Sequence, residues 1–420
     1  MLESIKEFLS NLNPDIIIQA PSRINLINPL DAVEGDFWMP SVAINAENDP
    51  LSTFFYIKKI KNESRLKVFN IRGVPQKYNF EIISEEILHK KTKYIKKKIS
   101  GKFKLIYASI YKLIEINSCF KTKFFNSNIE IGLITTIPKQ SGLGGSAAII
   151  IATIYGLSMF FNLYNNLDCL AENEIPINRD TIAEIATKIE DEDLLITAGY
   201  SDRYVISRGG LCFCSYYGKL YHKDLSMEPL AIYDRIDKVY KIDDLPIVLC
   251  FSGVVHESGD VHGRLRELYL QKDSIILSEY YNLAEISWKS RFALMKHDWK
   301  ELGEYFKQNT KIMNHIMKYA GFRYGIGLAN NILIKIIEEH PDVYAAKLTG
   351  AGGGGSVFAL VDPDKTYTIL EYWKKRLIEI IENKDKFSSI FPNYPFDIML
   401  KLRNAKFYKI TIDVKGVKKL

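Results

Sequence analysis

The segment Pro138-Lys139-Gln140-Ser141-Gly142-Leu143-Gly144-Gly145-Ser146-Ala147-Ala148 joins an alternating, β-rich run, Ile129–Ile137, to an apolar run, Ala147–Phe161. Three glycines within four positions let backbone N–H groups converge on one point with no Cβ in the way. The apolar run has no breaker except Gly156 and is hydrophobic on nearly every side, which predicts a helix buried at the centre of a domain. Free N–H groups in its first turn, with the positive end of the helix dipole, make a cradle suited to the phosphates of a nucleotide. Ser146 adds a hydroxyl at that turn for a phosphate oxygen or Mg2+. No Gly-Lys-Ser/Thr closes the loop, so it is not a Walker A loop, and its place and spacing differ from a dinucleotide fingerprint. Alone, a glycine turn before a helix is also an ordinary structural device.

Upstream of the loop, strand-like segments stand at Ile16–Gln19, Ser41–Ile44, Leu51–Lys58 and Lys67–Asn70, and Phe103–Ile116 has the pattern of an amphipathic helix. The stretch Leu88–Lys104 carries Lys90, Lys91, Lys93, Lys96, Lys97, Lys98, Lys102 and Lys104 and reads as a solvated helix face or loop. Only Tyr94 and Phe103 interleave it with aromatics, so nucleic acid is not expected as a partner. Downstream, Thr181–Glu192 predicts a helix and Val205–Tyr217 a hairpin bent at Gly209-Gly210, while Leu245–Ser252 marks a boundary. Helices are then expected at Asp260–Lys296, Trp299–Met317, Ile326–Glu339 and Tyr367–Asn383, with strands at Ala345–Leu348, Ser356–Val361 and Phe407–Val414. This mixture, without strict βαβ alternation, predicts an α+β fold. At 420 residues the chain exceeds one ordinary core, and two domains, 1–244 and 245–420, are expected.

Composition, with 47% hydrophobic and 25% charged residues, excludes extensive disorder. A net charge of +6 suits anionic ligands but is too small at this length to argue for nucleic acid. The five cysteines are odd in number and scattered, and they read as buried thiols; Cys212 and Cys214 fall on one face of a strand. The opening Met1–Glu7 lacks a signal-peptide core, and Ala147–Phe161 is shorter than the roughly 20 residues that span a bilayer. A cytoplasmic protein with no membrane partner, monomeric or homodimeric, is expected.

Three motifs in order carry a family resemblance. Pro138-x-x-x-Gly142-Leu143-Gly144-x-Ser146-Ala147-Ala148 resembles the central motif of the GHMP kinases (galactokinase, homoserine kinase, mevalonate kinase and phosphomevalonate kinase). Ala20-Pro21-Ser22-Arg23-Ile24-Asn25-Leu26-Ile27 is similar to their N-terminal substrate-side motif, and Lys347-Leu348-Thr349-Gly350-Ala351-Gly352-Gly353-Gly354-Gly355-Ser356 to their C-terminal glycine motif. The resemblance implies an N-terminal domain like domain 2 of ribosomal protein S5 and a C-terminal ferredoxin-like α/β sandwich. It implies ATP held by Pro138, Ser141, Gly142, Leu143, Gly144, Gly145, Ser146 and Ala147, with Gly352 and Gly353 in a loop that closes over the phosphates.

Phosphoryl transfer to a hydroxyl needs a cation near the phosphates and a group that positions or deprotonates the acceptor. The resemblance aligns Glu190 with the family's Mg2+ ligand, beside Ser146; an acidic helix end at the surface is the alternative. It aligns Asp202 with the catalytic aspartate and Arg23 with the basic residue of the first motif. An Arg23 guanidinium near Asp202 keeps it ionised or stabilises the transferring phosphoryl group.

The galactokinase sugar-binding set is absent: Pro29, Leu30 and Ala32 stand where Glu, His and Asp would be. Asn28-Pro29-Leu30-Asp31 instead resembles a segment of glucuronokinases, as does Ser258-Gly259-Asp260-Val261-His262-Gly263-Arg264-Leu265-Arg266. On this reading Asn28 and Asp31 take sugar hydroxyls, and His262 and Arg264, with Arg266, take a uronate carboxylate. The acceptor expected is the anomeric hydroxyl of a sugar or uronic acid. A heptose kinase, a galactokinase-like or mevalonate-type kinase, and a non-catalytic sugar and ATP sensor remain as alternatives.

Overall fold

The computed structural model describes residues 1–27, 39–47, 49–74, 77–215, 225, 232–255, 258–350 and 352–420. The first half supplies strands β1 (Ile16–Asn25), β2 (Met39–Ala46), β3 (Ser52–Lys59), β4 (Arg65–Val74), β5 (Lys77–Ile87), β6 (Ile129–Thr135), β7 (Leu211–Ser215) and β8 (Ile232–Arg235). The second supplies β9 (Ile247–Phe251), β10 (Val343–Thr349), β11 (Ser356–Val361), β12 (Lys406–Ile412) and β13 (Lys418–Lys419). The main path of the sheet runs β10-β11-β9-β12-β2-β1-β3-β6-β4-β5. Of the pairings along it, β4–β6 is parallel.

Strand β1 shows how sequence shapes this sheet. It pairs β3 from Ile16 to Pro21 and then β2 from Ser22 to Asn25. Pro21, which has no N–H to give to a ladder, stands where the partner changes. The change turns Ser22–Asn25 away from the β3 side and toward the second half. There β12 lies between β9 and β2, so strands of both halves share one sheet.

The helix Gly145–Phe160 follows the glycine loop and packs on β1 and β3. Most of its residues are buried, as an apolar surface on all sides demands. The helix Arg179–Lys188 begins on a capping box at Asn178 and passes into a π-helical turn, Ile189–Asp193. Two expectations are corrected. Val205–Arg208 belongs to a buried helix, Ser201–Arg208, and among the described residues of the expected hairpin Leu211–Ser215 is strand. The long helix expected over Asp260–Lys296 is two helices, Ser258–Leu270 and Ser274–Lys296; Asp273 caps the second by accepting from the N–H groups of Ile275 and Ile276.

The cysteine reading is corrected too. Cys119 and Cys169 are joined as a disulfide, with their Cα atoms 5.8 Å apart, whereas Cys212, Cys214 and Cys250 are buried thiols. A spacing of 50 residues gave no hint of the pair, which depends on the helix Ser118–Phe125 packing beside the turn Leu167–Cys169. Among the described residues, no helix is long and apolar enough to cross a membrane.

Candidate active site

The glycine loop meets both other motifs. Ser22 donates through Oγ to the Leu143 carbonyl at 2.8 Å, and the Arg23 N–H donates to the same oxygen at 3.2 Å. Gly142 has φ +71° and lies so close to the Thr349 carbonyl that a Cβ would sit 2.6 Å from that oxygen. Gly144, at φ +76°, leads into the helix, and a Cβ there would meet the Ile206 and Arg23 side chains. Glycine is thus required by both conformation and space at these two positions. The Ser141 hydroxyl is buried with no hydrogen-bond partner, an orphan suited to a phosphate oxygen, while Ser146 is exposed at the start of the helix.

In the third motif, the Gly353 N–H donates to the Ile326 carbonyl at 2.8 Å and the Gly355 N–H to the Val254 carbonyl at 2.9 Å. Those two donors support the loop from behind, where Gly355 packs on the Ser141 backbone. Thr349 continues the contact: its Oγ1 accepts from the Asn25 N–H at 3.1 Å.

Asp202 stands in the first turn of the helix Ser201–Arg208, a place that favours a carboxylate. Arg23 donates both to the Asp202 carboxylate and to the Gly142 carbonyl, so one guanidinium joins loop and aspartate. The Asn25 amide donates to Asp202 Oδ1 at 3.2 Å and is oriented by Ser41, whose Oγ donates to Asn25 Oδ1 at 2.7 Å. Burial works to raise the Asp202 carboxyl, but the Arg23 guanidinium, then Arg203 and the Asn25 amide, outweigh it and hold the group down at about 2. Asp202 is therefore a carboxylate at any working pH.

Glu190 lies buried in the π-helical turn, and its carboxylate is bonded to Arg203, whose guanidinium also donates to the Gly199 carbonyl at 2.8 Å. The same guanidinium lies 3.5 Å from Asp202. Among the described residues, no group of three or more His, Cys, Asp or Glu side chains is arranged to hold a metal ion. Glu190 is thus engaged by Arg203 through Oε2.

The expected substrate residues separate. Asn28 and Asp31 lie outside the described residues. His262 is near Asp202, with its Nδ1 buried and without a partner; burial, and then the neighbouring arginines against the pull of Asp202, drive the imidazole down to about 4. It is neutral at physiological pH. Arg264 is half exposed and paired with Glu267 at 2.7 Å, away from this cluster. Arg266 is engaged with Asp191 at 2.9 Å.

Sequence reading passed over Asn25, Arg203 and Lys347. Lys347 is fully buried on β10, where Nζ donates to the Leu348 carbonyl at 2.8 Å and the Asn25 carbonyl at 3.3 Å and lies 4.9 Å from the centre of the Phe358 ring. Burial pulls its ammonium down to about 7. A lysine alternating with apolar residues in a strand was the available signal.

The glycine loop, the ionised Asp202 at its edge and the Arg23 that joins them are thus brought together in one place. Residues 105–210 match the N-terminal domain of the GHMP kinases, and residues 292–379 match their C-terminal domain. The chain thus carries both GHMP kinase domains and has the two-domain fold of that family. It is 27% identical over 256 residues to the probable glucuronokinase 2 of Arabidopsis thaliana, a match covering 60% of this chain and 62% of that one. It is 26% identical to the D-glycero-alpha-D-manno-heptose 7-phosphate kinase of Campylobacter jejuni, over 64% of this chain and 71% of that one. The fold aligns with galactokinase of Lactococcus lactis solved with galactose, at a TM-score of 0.62 and 16% identity over 100% of both chains.

Proposed function

We propose that this chain transfers the γ-phosphoryl group of ATP to the anomeric hydroxyl of a sugar or uronic acid. The observation that carries this reading is the placement of Arg23, which donates to Gly142 in the phosphate loop and to Asp202 at once. Donor and acceptor machinery are thereby held by one rigid group.

In this reading the acceptor hydroxyl donates its hydrogen bond to Asp202. Its oxygen attacks the γ-phosphorus, the bond to the β-phosphate oxygen breaks, and ADP leaves. A carboxylate held at about 2 is a weak base, so its first task is orientation, with the proton moving late. A loose transition state asks for no more, because the attacking oxygen carries little extra charge until the transfer is well advanced. Arg23, held between Asp202 and the glycine loop, offsets charge on the phosphoryl oxygens.

His262 and Arg264 refine the acceptor. A neutral imidazole beside Asp202 suits a sugar hydroxyl better than a carboxylate, and Arg264 is turned to Glu267. A carboxylate, if the sugar carries one, belongs elsewhere than at this helix start.

The test is a coupled ADP-release assay with Mg2+ across neutral sugars, uronic acids, sugar phosphates and mevalonate. Turnover of a sugar or uronic acid is the expected result. Binding of ATP and a sugar by calorimetry, with no ADP released from any acceptor, would make the protein a sensor.

A further inference from the structure

The acidic turn Glu190-Asp191-Glu192-Asp193 has the composition of a metal site and the wiring of something else. Each of its carboxylates meets a cation from a different element. Glu190 is bonded to Arg203, Asp191 to Arg266 at 2.9 Å, Glu192 to Lys188 at 2.7 Å and Asp193 to Lys112 at 3.0 Å. The π-helical register of Ile189–Asp193 widens the turn and lets consecutive side chains reach separate partners. A hard divalent cation is drawn to carboxylates with unneutralised charge, and this turn presents none.

From Glu190 the charges continue inward in alternation: Glu190, Arg203, Asp202, Arg23. Among the described residues this chain of charges alternates two anions with two cations, and all four are buried, at 3%, 7%, 9% and 5% exposure. A second positive ion on Glu190 would have to share a buried carboxylate whose Oε2 Arg203 already holds.

We propose that Arg203 is a positioning residue for phosphoryl transfer, clamped by Glu190 and the Gly199 carbonyl against Asp202, and that Glu190 acts through Arg203 rather than as a direct metal ligand. This rests on the kinase reading above. Arg203 lies 3.5 Å from Asp202 Oδ2, the oxygen that Arg23 also holds, while Asn25 holds Oδ1, so the three together fix where the carboxylate points. A divalent ion used in such a transfer would then be held by the nucleotide phosphates. The groups that set the charge of Asp202 are then Arg23 and Asn25 on β1 and Arg203 on its own helix, while His262 on the helix Ser258–Leu270 faces it as a neutral imidazole.

Three variants decide the matter: Glu190→Gln, Arg203→Met and the two combined. Each single variant should lower kcat about tenfold or more with the ATP KM within about threefold, and the double should be no slower than the slower single, because the two residues act as one unit. The Mg2+ concentration for half-maximal rate should not move, and calorimetric affinity for Mg2+-ADP should stay within about threefold of wild type in Glu190→Gln. Arg203→Lys should recover part of the lost kcat. A rise of about tenfold in the Mg2+ requirement, or a matching loss of Mg2+-ADP affinity, in Glu190→Gln but not in Arg203→Met would overturn the proposal and make Glu190 a ligand. So would single effects that multiply in the double variant. If a single variant fails to fold, the double variant still reports, since it removes both buried charges together. The calorimetric comparison holds even if no acceptor is turned over, a result that would count against the kinase reading alone.

Discussion

Arg23 and Asp202, 179 residues apart in the chain, form a buried ion pair in which the arginine also holds the Gly142 carbonyl. The pair links the strand of the first motif, the loop of the second and the helix that follows the acidic turn.

Removing the aspartate should separate chemistry from binding. Asp202→Ala is expected to lower kcat by at least about a hundredfold while ATP affinity stays within about threefold. Calorimetry with ATP beside a coupled assay measures both. Because the change leaves two arginines buried without their carboxylate, Asp202→Asn is the better-folded companion, with the same direction of effect. A loss of ATP affinity as large as the loss of rate would make Asp202 a structural residue.

The glycine loop should not tolerate even one methyl group. Gly142→Ala places a Cβ 2.6 Å from the Thr349 carbonyl at a φ of +71°. We expect destabilisation of about 1–3 kcal/mol and weaker ATP binding, because the loop must part from the third motif. Thermal unfolding and nucleotide titration check this; unchanged values for both would show that the loop does not need this contact.

Lys347 should give the fold an alkaline preference. Its folded-state value is about 7, against about 10.4 for an unfolded lysine. Between those values the unfolded chain binds the extra proton, so stability rises with pH, at a slope of up to ~1.4 kcal/mol per pH unit from this residue. Below about 7 both states are protonated and the contribution is flat at its least favourable. Lys347→Met should abolish that slope, as read from denaturant unfolding near pH 6, 8 and 9.5. An identical slope in the variant would refute the assignment.

His262 should act on the acceptor and on acid stability. His262→Ala is expected to raise the acceptor KM about tenfold, and His262→Gln to raise it less, since an amide keeps a hydrogen bond. The folded imidazole sits at about 4, below its unfolded value, so its contribution to stability is lost as pH falls from about 6.5 through about 4. Acid unfolding of His262→Gln should lack that step. Equal KM values for wild type and both variants would remove His262 from the acceptor site.

How much of this was legible depended on whether the signal was local. The loop Ser141–Ser146 and the helix behind it could be read because each is a contiguous pattern. The pairing of Arg23 with Asp202 followed from the family resemblance. Arg203 was written beside Asp202, yet its clamp on Glu190 depends on a π-helical turn that no periodicity announces. Lys347 and Asn25 meet across a separation of 322 residues, and only the sheet brings them together. Val205 and Ile206 suggested a strand by their β-branching, but burial of this segment against Gly144 and β1 favoured a helix. Strand β5 was missed because its alternation is mostly polar, as befits the outer strand of the path, and a bulge opposite Val68 and Phe69 breaks its register.

The insertion of β12 between β9 and β2 bears on how the molecule is made. Ile410 lies opposite Ala46, so a central rung of the sheet joins an early segment to one synthesised almost a whole chain later. On the ribosome β2 emerges long before that neighbour exists: β7 can cover Met39–Val42, but the Ile44–Ala46 end of the same edge waits while the helices between are being translated. Such long-range closure is slow. The strand that presents Arg23 is next to β2, so the surroundings of Arg23 are completed only late in synthesis.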